Sequence, residues 1–302
     1  MKKFIRNILV YGLLFFLIAN VIAFLVLYGL KKSSFYKPQF IENGVLENKF
    51  DYVVLGSSTG LTTLNTKIID SITKKKGLNI SLDDSSLSSH FLMLQHFYNL
   101  NKTTKKLVLA ITPWDTETKS AKLNENDYRF LPYISEDYVH AYFSELEKRN
   151  FKVLTWSKFF PILGTSYYNL ELFYPSIITV FDSKKRNRFD ERGNYEYPNN
   201  SGLLKENDYQ ETNIVFNNNY FYKIKVFCKQ HNIQLIVYQS PIYNNKVIFA
   251  KTHEFKIINH SNLIMDKKMF YDNIHVNKIG SKMCSEKFSD ELLGLNSTLI
   301  KF

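Results

Sequence analysis

Residues 8–30 form a 23-residue apolar run interrupted only by Asn20. As a helix rising about 1.5 Å per residue, it reaches roughly 34 Å, enough to cross a hydrocarbon core of about 30 Å. Lys2, Lys3 and Arg6 precede it, and Lys31 and Lys32 follow. A cleaved signal peptide has a shorter apolar stretch, about 7–15 residues, and ends at a small-x-small site. The segment Tyr28-Gly29-Leu30-Lys31 offers no such site. The expectation is therefore a retained single-pass anchor in the cell membrane, with a tail at 1–7, a span at 8–30 and a linker at 31–45. A short basic N-tail favours the N-in orientation, which places the remainder on the extracytoplasmic side.

The anchor region also accounts for much of the charge. The first 37 residues hold six basic side chains and no acidic one, so the rest carries 33 against 28, a net of +5 beside the whole-chain +11. Such a mild excess suits anionic lipid or surface polymer and gives no reason to invoke nucleic acid. Cys228 and Cys284, the only cysteines, fall in expected helices with apolar neighbours and read as buried free thiols, although the compartment would permit a disulfide. The seven histidines show no HxxxH or HExxH spacing. Neither a metal nor a cofactor is expected.

Beyond the linker, short apolar runs alternate with helical patterns. Tyr52-Val53-Val54-Leu55, Leu78-Asn79-Ile80-Ser81, Leu107-Val108-Leu109-Ala110-Ile111, Ile233 through Tyr238 and the weaker Leu263-Ile264-Met265 read as strands. Helices are expected over about 65–76, capped by Asn65 and closed by a cationic turn and Gly77, and over 86–100, 218–229 and 277–293. This alternation indicates βαβ units and a parallel sheet covered on both faces, an α/β domain over 46–302. Between about 116 and 210 the rhythm fails. That stretch is rich in Phe, Tyr, Lys and Asn, with a helix expected over 135–150. It reads as a large mixed insertion over the carboxyl end of the sheet, serving as lid or binding wall, or building a subsidiary aromatic core. Asp190-Glu191-Arg192-Gly193-Asn194 reads as a structural turn.

Ligands of open parallel sheets bind at the carboxyl ends of strands. Ser58 stands there, in Gly56-Ser57-Ser58 after the first strand. Near the C-terminus, Asp272 and His275 sit three apart in a loop entering a helix. Chain order Ser…Asp…His is one of the orders in which nucleophile, orienting carboxylate and general base recur. A serine hydroxyl is a weak nucleophile without a base in reach, and that base needs a fixed tautomer. Each side chain also has a plain structural reading, as turn or helix-entry residue.

Taken together, these blocks resemble the SGNH/GDSL hydrolase superfamily. The likeness extends to membrane-anchored SGNH-like proteins of bacterial surface-polymer acylation, the D-alanyl-transfer proteins of lipoteichoic acid synthesis among them. It covers roughly 46–115 and 213–295. Leu55-Gly56-Ser57-Ser58 corresponds to the nucleophile block, Asn79-Ile80-Ser81 to the start of the second, and Ala110-Ile111-Thr112-Pro113-Trp114-Asp115 to the third. Tyr271-Asp272-Asn273-Ile274-His275 with Val276-Asn277-Lys278-Ile279-Gly280 corresponds to the fifth and is the most specific match.

The resemblance implies a three-layer sandwich of flavodoxin-like strand order 2-1-3-4-5, with Ser58, Asp272 and His275 as catalytic residues. It further implies oxyanion donors from the nucleophile's own N–H, a second-block glycine and a third-block asparagine. Here the glycine position falls on Asp84 or Ser85, and the third block has no asparagine. Ser57, Asp84, Ser85, Trp114 and Asp115 are the oxyanion or substrate candidates.

The expected function is extracytoplasmic acyl transfer or ester hydrolysis, as O-acetylation or deacetylation of a cell-surface polysaccharide. The resemblance adds a membrane-bound O-acyltransferase as partner. Two other readings stand beside it: a noncatalytic scaffold or carbohydrate-binding partner that retains the fold, and a simple lipid-proximal esterase.

Overall fold

The computed structural model describes residues 1–117, 121–148, 150–168, 170–199, 203–250 and 254–297. The chain packs as two compact units, residues 1–44 with 127–187, and residues 45–126 with 188–302.

The second unit is built on a five-stranded parallel sheet: β1 (Tyr52–Leu55), β2 (Gly77–Asn79), β3 (Lys106–Ile111), β4 (Gln234–Gln239) and β5 (Lys256–Asn259). β1 lies between β2 and β3, with Val54 opposite Asn79 and Val108, and β4 lies between β3 and β5. Alternate residues Tyr52, Val54, Val108, Ala110, Ile236 and Tyr238 enter one core with Ile69, Cys284 and Phe288. Their neighbours Val53, Leu55, Leu107, Leu109 and Val237 point the other way and are equally buried. A strand buried on both faces must be apolar throughout, which is why these runs do not alternate. The helices Thr66–Thr73 and Lys278–Ser297 pack together, as do Leu87–Asn99 and Asn219–Gln230. Cys228 and Cys284 are buried free thiols.

Three expectations need correction here. The fifth strand is Lys256–Asn259, whereas residues 263–265 are irregular. Its apolar part is only Ile257-Ile258, while Leu263 follows a turn closed by its own N–H on the His260 carbonyl. Asn65 does cap its helix, accepting from the Lys67 N–H at 3.0 Å, but the left-handed closing position is Lys74, φ 56°. Gly77 instead sits in β2, where a Cβ would come within 2.2 Å of the Tyr52 ring. It is kept small by packing rather than by backbone conformation.

The third correction concerns the first unit. Its N-terminal helix is continuous over Lys2–Lys31 and is long and apolar enough to cross a membrane, with mean hydropathy 2.6 over 18 of its residues. The expected linker contains a helix, Lys37–Asn43, with Phe40 and Ile41 fully buried. Residues 127–187, read as part of a 46–302 domain, pack instead with 1–44. They hold the helices Asp137–Leu146, Val153–Trp156, Pro161–Tyr168 and Leu170–Phe181. The helix expected over 135–150 stops at Leu146. The Glu147 carboxylate leaves it to accept from the N–H groups of Leu154 and Thr155 at the start of the next. Residue 149 lies outside the described residues.

Candidate active site

Ser58 is the first residue of the short helix Ser58–Thr63, with Ser57 in extended conformation just before it. Two glycines set that turn against the sheet. A Cβ on Gly56 would come within 2.7 Å of the Ala110 carbonyl oxygen, and one on Gly60 within 2.9 Å of Ser81 Oγ. Only glycine at both positions lets the chain leave β1 and turn into the helix this close to β3. From β2, the buried Asn79 amide donates to the Gly60 carbonyl at 3.0 Å. That bond ties the nucleophile helix to the neighbouring strand end.

The loop between Phe270 and Asn277 is fixed from within. Phe270 is fully buried, and Asn277 accepts from the N–H groups of Ile279 and Gly280, starting the last helix. Asp272 Oδ1 accepts from the N–H of Ile274 at 2.9 Å and of His275 at 2.8 Å, an Asx-type turn. The same carboxylate lies 2.8 Å from His275 Nδ1, and His275 Nε2 lies 2.7 Å from Ser58 Oγ. An ionised carboxylate only accepts, so Nδ1 carries a proton, and in the singly protonated ring Nε2 is the acceptor for the serine hydroxyl. Burial by itself would raise the Asp272 pKa. The hydrogen bond and charge of His275, with the two backbone N–H groups, outweigh it and hold the carboxyl below its ordinary value. His275 is 8% exposed, so the bond to Ser58 is shielded from competing water.

The remaining candidates have their own partners. Ser57 Oγ pairs with Thr59 Oγ1 at 3.2 Å. Asp84 takes a left-handed conformation, φ 47°, is exposed, and has its carboxylate 3.5 Å from the Asn126 amide. Ser85 donates to the Leu82 carbonyl at 2.6 Å and lies 3.0 Å from Nε2 of the buried His90. Asp115 accepts from both the N–H and the hydroxyl of Thr112 beneath it, and burial pushes its pKa up to about 6. Trp114, beside it, is 48% exposed at the carboxyl end of β3. The structure thus joins Ser58, His275 and Asp272 in one hydrogen-bonded chain, whereas the polar side chains of Ser85 and Asp115 satisfy the local backbone.

Sequence reasoning missed an aromatic wall. Tyr197 stacks on Tyr271 at 4.2 Å with planes 6° apart, packs against the His275 ring at 5.2 Å, and meets Tyr195 edge-on at 5.3 Å. Burial first, then the nearby Asp272 charge, push the Tyr197 hydroxyl up to about 12, so it stays neutral. The Asp190–Asn194 turn carries this wall. Asp190 Oδ1 accepts from the N–H groups of Arg192 and Asn194, while Asn194 Oδ1 accepts from Thr66 N–H at 3.0 Å. The signal available was the aromatic richness of the 116–210 stretch, without any indication of which tyrosines return to the sheet.

No known protein-family model matches the chain, and no curated protein matches it. A hydroxyl at a helix start, an imidazole bonded to it and a carboxylate fixing that imidazole are the parts of nucleophilic acyl transfer. The first N–H groups of any helix lack intrahelical acceptors, and Ser58 opens such a helix.

Proposed function

We propose that this chain is a membrane-anchored serine esterase or O-acyltransferase of the SGNH type, on a flavodoxin-like three-layer frame. It would act on acyl esters of a cell-surface polysaccharide on the extracytoplasmic side. The 2.7 Å approach of His275 Nε2 to Ser58 Oγ, with Asp272 behind the ring, carries this reading.

In the proposed cycle, Ser58 Oγ attacks the ester carbonyl carbon as its proton passes to His275 Nε2, and Asp272 stabilises the resulting imidazolium. Collapse of the tetrahedral adduct breaks the bond to the leaving alcohol, which takes the proton from Nε2. Water or a sugar hydroxyl, deprotonated by His275, then attacks the acyl-serine and restores the hydroxyl. Oxyanion stabilisation falls to backbone donors at Ser58 and the Asp84-Ser85 turn, because the third block offers no asparagine. One such donor is ordinarily worth about 10²–10³ in rate, so a slow enzyme suited to a bound or concentrated acceptor is the expected consequence. The Tyr195–Tyr197–Tyr271 wall beside His275 supplies flat apolar surface of the kind that sugar rings stack on.

The test is turnover of an acetyl ester by the full-length protein beside Ser58→Ala. Loss of at least about 10³-fold supports the reading, since residual catalysis without a triad member is set by binding and oxyanion donors alone. Equal rates refute it. The missing third-block asparagine favours a second reading, a noncatalytic polysaccharide-binding scaffold. That protein would bind acetylated polymer unchanged as Ser58→Ala and would turn over no ester in either form.

A further inference from the structure

Part of the first unit turns large apolar side chains outward. Residues 159–181 contain one side chain of the Asp, Glu, Lys, Arg or His type, Glu171. In the helix Leu170–Phe181, the residues Leu172, Pro175, Ser176 and Thr179 are buried. Leu170, Tyr174, Ile177 and Phe181 recur at helical spacing on another face and are exposed, Leu170 by 75% and Phe181 by 86%. A helix apolar all round is at home in a protein core or in lipid, and outward exposure in water on this scale is unusual for a soluble fold.

The inner contacts are made by the N-terminal helix, within the run expected to cross the membrane. The Phe160 ring packs on Phe16 at 5.5 Å. Asn20 Oδ1 accepts from the Ile162 N–H at 3.3 Å, and Ser176 Oγ donates to the Val26 carbonyl at 3.0 Å. Measured from Leu30 at about 1.5 Å per residue, Val26 lies roughly 6 Å and Asn20 roughly 15 Å along the helix, the latter half of a 30 Å hydrocarbon core. Unpaired backbone N–H groups are costly at that depth. Asn20, the one polar residue in the apolar run, supplies an acceptor for a helix-start N–H that has none within its own helix.

A cationic segment marks the upper limit. The Ser34 N–H donates to the Ser183 carbonyl at 2.8 Å, and the Asn187 N–H to the Phe35 carbonyl at 3.0 Å. Lys184, Lys185 and Arg186 are thereby held beside the chain leaving Lys31 and Lys32. Basic residues at the end of a spanning segment match anionic headgroups.

We infer that residues 159–168 and 170–181 form a second membrane element, immersed in the leaflet on the C-terminal side of the N-terminal helix, with lipid acyl chains covering Leu170, Ile177, Val180 and Phe181. The helix Lys2–Lys31 is thus one part of a wider lipid-embedded body.

Lipid-quenching measurements on the full-length protein, reconstituted in phosphatidylcholine–phosphatidylglycerol vesicles, test this. A thiol-reactive NBD fluorophore is placed at Ile177→Cys or Val180→Cys, with Leu13→Cys in the N-terminal helix and the exposed Ile72→Cys of the other unit as references. The native Cys228 and Cys284 are buried, and unsubstituted protein gives the background. Lipids spin-labelled on the acyl chain are expected to quench positions 177 and 180 about as strongly as 13, and at least about threefold more than 72. Quenching at 177 and 180 no greater than at 72 overturns the inference. So does an unquenched position 13, since the element would then have no bilayer to enter. Quenching at 177 and 180 that disappears as protein density rises would show a second copy covering the face, and would overturn it equally.

Discussion

Two aspartates near the carboxyl edge of one sheet differ in how their surroundings treat the charge. Asp272 accepts two backbone N–H groups and an imidazole N–H, and its pKa falls. Asp115 is half-buried against Thr112, whose N–H and hydroxyl do not offset its desolvation, and its pKa rises to about 6. The loop carrying Asp272 is organised to keep a charge and relay its effect to Ser58. The turn carrying Asp115 is organised around its own backbone. In the proposed mechanism, nucleophile activation is therefore preorganised by side chains, while oxyanion stabilisation is left to main-chain N–H groups.

Substitutions can break this contrast. The largest effect belongs to Asp272→Asn, which keeps the shape but allows the wrong imidazole tautomer. Ester turnover is expected to fall by about 10²–10⁴ with an unchanged circular dichroism spectrum. A change under tenfold would deny Asp272 its special place.

Next comes the frame that holds both regions. Asn79→Ala removes the amide that satisfies the Gly60 carbonyl and is expected to cost about 1–3 kcal/mol in thermal or denaturant unfolding.

The pH dependence of stability separates the two carboxylates. A raised folded pKa means that the folded state binds the proton more tightly, so Asp115 destabilises above pH 6 and this cost fades as pH falls toward 4. The lowered Asp272 acts oppositely: its contribution is present above the ordinary carboxylate range and is lost as pH falls through its folded pKa. The melting temperature of Asp115→Asn, taken as its difference from wild type, should be more favourable at pH 7 than at pH 5. A pH-independent difference would contradict the buried-charge reading.

The smallest change is expected at the exposed Asp84. Asp84→Asn should alter ester turnover by less than about threefold, because its carboxylate points to Asn126 and only its N–H is assigned a role. A tenfold gain would show that the charge opposes the oxyanion directly.

Much of this was legible in the chain itself. Val53–Leu55, Leu107–Ile111 and Leu235–Tyr238 read as strands because a doubly covered sheet demands unbroken apolar runs. The approach of His275 to Ser58 could be anticipated because strand-end turns and C-terminal loops meet at one edge of such a sheet. β5 escaped notice because its apolar content is two isoleucines between Lys256 and Asn259. Tyr197 escaped because its place depends on the Asp190–Asn194 turn docking on Thr66, a contact between residues more than a hundred positions apart. The allegiance of 127–187 to the N-terminal helix was hidden for a related reason. Outward-facing apolar residues look like core until the packing shows which side is already covered.

The most direct test of the central claim is covalent capture of the serine. Full-length protein treated with a fluorophosphonate probe at pH 7.5, digested and mapped by mass spectrometry, should carry the adduct on the peptide containing Ser58. Labelling should be lost in Ser58→Ala and strongly slowed in a His275 variant. An adduct elsewhere, or equal labelling of wild type and Ser58→Ala, would contradict the account.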